Sequence, residues 1–198
     1  MLTVDRRLGF LLACLLFLLS GEPAYAQPAA RSGGSVMSAM PQFPTVRASN
    51  LEGKDFTLPK DFEGELNLLL IAFERRQQED VDTWMPLARH LCLADSNLRA
   101  YELPTIRRGN PIMRWMINRG MASGIHDARA RASTITLYLD KSEFRRSLAI
   151  EREDEITVLL VKRDGSIHWR TTGTWSPAME ESLRQVVREK SGGPRGTQ

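Results

Sequence analysis

Cysteine is almost missing from this chain of 198 residues, which has only Cys14 and Cys92. Cys14 sits inside LGFLLACLLFLL, the apolar run of an N-terminal segment with the composition of an export signal. Asp5, Arg6 and Arg7 precede the run, and Ala24-Tyr25-Ala26 follows it with small residues where a signal peptidase reads, so residues 1–26 are expected to leave by cleavage after Ala26. The apolar run continues for five residues beyond Cys14, which argues against a lipid-attachment cysteine. Only Cys92 then remains. The mature chain can form neither an internal disulfide nor a Cys-x-x-Cys, the commonest stabilising and redox devices of exported proteins.

Other absences narrow the field further. The run from Leu8 to Leu19 has 12 residues, short of the about 20 that a membrane anchor needs. His90, His126 and His168 are isolated, with no ligand spacing that would suit zinc. There is no GxSxG elbow and no GxxxxGK phosphate loop. No catalytic residue, metal or cofactor is therefore expected. The net charge is +3, and the signal holds two residues of each sign, so its removal leaves that mild excess unchanged. Such a balance demands neither nucleic acid nor a membrane as partner, and an exported chain without a stacking platform does not suit nucleic acid.

What is present reads as one folded domain over residues 43–190, between a flexible linker at 27–42 and a disordered tail at 191–198. VRASNLEGKDFTLP suggests a hairpin-like start around a turn at Asn50 to Lys54, and the apolar run at 66–73 suggests a strand buried on both faces. Val81, Trp84, Leu87, Ala88 and Leu91 recur at helical spacing, predicting an amphipathic helix from 79 to about 92. LRAYELPTI (98–106) predicts a strand whose Pro104 places its end near an edge or a bend. Asn110-Pro111 starts a helix with Ile112, Met113, Met116 and Ile117 on one face, Arg114, Asn118 and Arg119 on the other, and Gly120 as its stop. A short helix over IHDARARA, the strand TITLYL, the helical segment KSEFRRSL, a hairpin turning at Asp164-Gly165 and a helix starting at Ser176-Pro177 complete the order. Strands alternating with helices and closing on a hairpin plus helix describe a three-layer α/β/α sandwich with a central mixed sheet.

LEGKDFTL, the buried LLLIAF, TLYLD before a helix and VLLVKRDGSIHWRTTG, in that order, resemble the thioredoxin-like superfamily in its peroxiredoxin and TlpA-type form. That resemblance covers roughly residues 43 to 189. It implies a reactive thiol just after the first core strand, where the next helix's N-terminus would lower its pKa. Here that position reads Glu74-Arg75-Arg76-Gln77-Gln78-Glu79-Asp80. The family also implies a cis-proline before the strand that opens the final hairpin, and here the segment is Ile150-Glu151-Arg152-Glu153-Asp154-Glu155-Ile156. Both halves of one active site are missing together, which suggests a redox-inactive member. WMINRGM through TITLYLDKSEFRRSLAI to VLLVKRDGSIHWRTTG is also similar to thioredoxin-like assembly factors of mitochondrial ATP synthase, which likewise lack a redox motif.

The expected function is accordingly an exported protein, periplasmic or extracellular, that binds a protein partner or assists assembly. Glu74, Arg75 and Arg76 could contact a ligand at the carboxyl end of the sheet. A rival reading makes the chain a thiol oxidoreductase or peroxidase that uses Cys92 with a partner's thiol. Apolar neighbours and a helix C-terminus would raise that thiol's pKa, and a small buried core residue is the plainer role. A third reading takes Arg107, Arg108, Arg114, Arg119, Arg129 and Arg131, with Trp115 among them, as a surface for anions or a membrane. Against it, these arginines are the solvated face of amphipathic helices, with Arg129 and Arg131 pairing with local carboxylates.

Overall fold

The computed structural model describes residues 41–191. The signal segment with Cys14, nearly all of the expected linker and all but Ser191 of the tail lie outside those residues.

The chain opens with a hairpin, β1 (Val46–Asn50) and β2 (Asp55–Leu58). β3 (Leu66–Ala72) leads through a single 3-10 turn (Arg75–Gln77) into α1 (Gln78–Ala94), and β4 (Leu98–Arg107) follows. Two helices come next, α2 (Pro111–Gly124) and α3 (Ala128–Ser133), then β5 (Ile135–Leu139) and α4 (Lys141–Ser147). A hairpin of β6 (Thr157–Lys162) and β7 (Ile167–Thr172) precedes α5 (Pro177–Ser191). The strands form one mixed sheet of seven in the order β2-β1-β5-β4-β3-β6-β7. β3, β4 and β5 run parallel at its centre, and an antiparallel hairpin closes each side.

The central strands are apolar on both faces because both faces are covered. Leu66, Leu68 and Leu70 of β3 meet Val81, Trp84, Leu87 and Leu91 of α1 and Leu183 and Val187 of α5. Leu69 and Ile71 point the other way, toward Phe144 and Leu148 around α4 and toward Phe43 and Phe62. The sandwich is thus α1 and α5, the sheet, then α4 with the segments flanking the first hairpin. Gly165, at φ +87°, makes the turn between β6 and β7, and a Cβ there would lie 3.1 Å from the Phe43 carbonyl oxygen. The amide of Phe43 donates to the Gly165 carbonyl at 2.8 Å, which seats the start of the chain against that turn.

Two sequence expectations need correction. Pro104 lies inside the sheet, in a strand flanked on both sides. It is the last residue of β4 in register with β3, opposite Ala72, and β5 takes over at Thr105 opposite Leu137. The proline's missing N–H therefore falls at the end of the β3 register and, on the β5 side, between the Glu102–Thr134 bridge and Thr105. Gly120 does not stop α2, which runs on to Gly124. A glycine ends a helix by turning left-handed; Gly120 has no positive φ, and within a helix it costs only about 1 kcal/mol relative to alanine.

Candidate functional site

The turn after β3 is held by a side chain that the sequence reading passed over. Glu74, Arg75 and Arg76 are exposed, whereas Gln77 is wholly buried. Its Oε1 accepts from the amides of Phe73 (2.7 Å) and Glu74 (3.1 Å), and its Nε2 donates to the Glu153 carbonyl oxygen at 2.6 Å. The bend after an apolar strand leaves backbone donors that must find partners, and Gln77 supplies an acceptor for two of them.

Glu153 belongs to the loop before β6, where the resemblance implied a cis-proline. Its carboxylate meets Lys141 Nζ at 2.5 Å and Arg145 Nη1 at 3.1 Å. The Lys141 bond, reinforced by Arg145, holds the Glu153 carboxyl below its ordinary value against the opposing effect of burial. Lys141 Nζ also donates to the Phe73 carbonyl oxygen at 3.3 Å, and Arg145 Nε donates to that of Ile150 at 3.2 Å. A polar staple thus joins the turn after β3, the first turn of α4 and the loop before β6. Gln77 and the Lys141–Glu153 pair tie this region together with the chain's own groups, while Glu74, Arg75 and Arg76 remain exposed.

Beside the staple lies a cleft of about 890 Å³ between α1, β4 and α2. Glu102, Pro104 and Ile106 of β4 form its floor, Met85 stands on the α1 side, and Ile117 and Met121 stand on the α2 side. Methionine and isoleucine walls suit an apolar guest, and methionine adapts to its shape. Glu102 is the one carboxyl on that floor. Burial raises its pKa; a bond to the Gln78 side chain lowers it, the charge of Asp82 raises it again, and Arg89 lowers it. The net shift is upward, toward the neutral form that can donate as well as accept a hydrogen bond.

The sequence-derived candidates do not converge on one point. Glu74 and Arg75 stand at the mouth of the cleft, while Arg76 turns aside to pair with Glu74 at 2.5 Å. Arg114 is not on a solvated face: its guanidinium lies 4.7 Å from the centroid of the Tyr138 ring. The Tyr138 hydroxyl donates to Asn118 Oδ1 at 2.8 Å, so α2 rests on β5 through polar residues. This corrects the expected orientation, because Ile112 and Met113 of the apolar set face outward and Met116, more than half exposed, stands at the border of the cleft. Trp115 is exposed with them and carries Arg119 at 5.4 Å from its ring centroid. Arg131 pairs with Glu52 at 2.5 Å, 79 residues away in sequence, and among the described residues Arg129 forms no ion pair within 4.0 Å.

Cys92 is half-buried against the α1 cluster instead of fully buried. It lies 15 residues beyond Gln77, about 22 Å along the helix. Burial raises its pKa, with Arg99 opposing. Among the described residues, no three His, Cys, Asp or Glu side chains come together to hold a metal ion.

Sequence reasoning missed Gln77, Glu102, Lys141 and Glu153. The first two had a signal: glutamine three residues after Glu74 has the spacing of a capping box, and a glutamate inside an apolar strand asks for a reason. The Lys141–Glu153 contact spans a loop and had none.

No family model and no curated protein matches the sequence. Solved structures do match in shape. BsSco, a member of the Sco family of cytochrome c oxidase assembly proteins, superposes with a TM-score of 0.53 at 14% identity, over 77% of this chain and 95% of that one. An uncharacterized thioredoxin-like protein from Porphyromonas gingivalis superposes with a TM-score of 0.52 at 16% identity, over 81% of this chain and 99% of that one. The mixed sheet, its flanking helices and these superpositions together assign the chain the thioredoxin-like fold.

Proposed function

We propose that the protein is an exported, redox-inactive thioredoxin-like module that binds an apolar segment of a partner protein in the α1–β4–α2 cleft and so assists its assembly. The single observation that carries this reading is the staple. Where thiol chemistry would need a free sulfur and an open face, Gln77 is buried and bonded to Phe73, Glu74 and Glu153. The cleft next to it offers volume, methionine walls and, on its floor, the Glu102 carboxyl, which can bond a backbone group of the guest, with Glu74 and Asp82 also along the lining. Export is argued from residues 1–26. An assembly role is compatible with the Sco family named for BsSco, a likeness of fold that carries no partner with it.

The test uses the mature protein and its Cys92→Ser and Met121→Glu variants. Neither wild type nor Cys92→Ser should reduce insulin or consume peroxide. Both should slow aggregation of a heat-unfolded client protein, and Met121→Glu, which puts a charge on the apolar wall, should lose that effect. Insulin reduction that disappears in Cys92→Ser would overturn the proposal in favour of a thiol enzyme. Client protection unchanged by Met121→Glu would remove the cleft from it.

A further inference from the structure

α2 is amphipathic, yet it presents its apolar side to solvent. Ile112 is 72% exposed, Met113 52%, Trp115 60% and Met116 59%. At about 100° per residue, these four and Arg119 occupy one arc of roughly 160°. The opposite arc, Arg114, Ile117, Asn118 and Met121, faces the body of the protein. Arg114 and Asn118 hold Tyr138 there, and Ile117 and Met121 line the cleft. The outward arc is convex, and its apolar groups form a contiguous exposed patch.

Charge says what covers it. From Thr105 to His126 there is no Asp or Glu, while Arg107, Arg108, Arg114 and Arg119 all fall in that stretch. Among the described residues, none of these four forms an ion pair within 4.0 Å. Asp140 is close enough to Arg107 to feel its charge, and Arg114, on the inward arc, shares a pocket with Asp55 and Asp61. Arg119 is exposed within the outward arc, and Arg108 is exposed three residues before α2 begins. Tryptophan with arginine at the border of an apolar helix face matches the boundary between acyl chains and headgroups, where the ring is half immersed and the cation meets phosphate. A positive patch is met by a negative partner surface, and an anionic leaflet supplies phosphate beside the apolar phase that Ile112, Met113 and Trp115 would need.

We propose that α2 is a membrane-surface helix that lies in the plane of an anionic phospholipid leaflet, with Ile112, Met113, Trp115 and Met116 at acyl-chain level and Arg108 and Arg119 on the headgroup phosphates. Met116 borders the cleft as well as the exposed arc, whereas Ile112, Met113, Trp115 and Arg119 take no part in the cleft. The assignment also accounts for the polar docking of α2 on Tyr138, which leaves the apolar arc free.

The experiment must report on α2 itself, because the apolar segment at 8–19 could bind lipid in the full chain. Full-chain protein is mixed with vesicles of phosphatidylcholine, or of phosphatidylcholine with phosphatidylglycerol, whose acyl chains carry bromine as a fluorescence quencher. Trp84 and Trp169 are buried and Trp175 is partly buried, so Trp115 supplies the quenchable signal. Quenching is expected in the acidic vesicles, reduced by added salt and absent from Trp115→Phe. In Arg108→Gln/Arg119→Gln, half-maximal quenching should need about thirtyfold more lipid, at about 1 kcal/mol per arginine. Circular dichroism and thermal melting should be unchanged in both surface variants. The proposal is overturned if Trp115 stays unquenched in acidic vesicles. Equal quenching in neutral vesicles, or in the double-arginine variant, overturns it as well.

Discussion

Gln77 shows how much one residue can settle. Its amide satisfies two backbone donors and one backbone acceptor in a place water does not reach. Gln77→Leu keeps the volume and abandons all three, so it should destabilise the fold by about 3 kcal/mol, read from urea unfolding followed by circular dichroism. Gln77→Glu keeps the acceptor but sets a carboxylate against the Glu153 carbonyl, and should fall between wild type and Gln77→Leu. Neither the depth of Gln77 nor its reach to Glu153 was legible in ERRQQED, which looks like a uniformly polar loop. The capping-box spacing from Glu74 points to the local bond alone; the one to Glu153, 76 residues on, leaves no local pattern. Glu74 and Arg75 were legible as groups at the carboxyl end of the sheet, because that position follows from the buried strand before them.

At the scale of elements, α1 and α2 make opposite lessons. In α1 the apolar positions named from spacing alone are the buried ones, since the helix lies across a sheet face that is itself apolar. Trp84 is fully buried, packs edge-on to Trp169 at a centroid distance of 6.1 Å, and donates from Nε1 to the Gly173 carbonyl oxygen at 3.0 Å. Trp84→Ala should therefore lose about 4 kcal/mol in the same unfolding measurement. Trp115→Ala on α2 should change stability by less than about 0.5 kcal/mol. Periodicity tells which residues share a face but not which way that face turns, and on α2 the turn is decided by Tyr138 of β5, a contact 20 residues away in sequence. The strands and their order were legible from apolar runs and turn residues, whereas the course of β4 through Pro104 depended on neighbours that no window contains.

For the whole molecule, two carboxyls set opposing responses to pH. The Glu153 carboxyl is held low by Lys141 and Arg145. Its contribution is present above its ordinary value and is lost as pH falls through the lowered one. The Glu102 carboxyl is pushed up by burial. Its charging works against the fold, so stability declines as pH rises through the raised value and is greatest, for this group, below the ordinary one. Urea midpoints should rise with pH up to the ordinary glutamate value and fall above it, following these two limbs. Glu153→Gln should flatten the rising limb, and Glu102→Gln should flatten the falling limb while raising stability above that value.

The central place of β3 has a consequence in time. Its parallel partner β4 begins within about 30 residues, but its antiparallel partner β6 pairs Leu159 with Leu69, 90 positions later. At roughly 5–20 residues per second of synthesis, LNLLLIA waits about 5 to 20 seconds with one edge unpaired. During that interval the nascent chain displays its most apolar strand, and the last hairpin to emerge is the one that covers it.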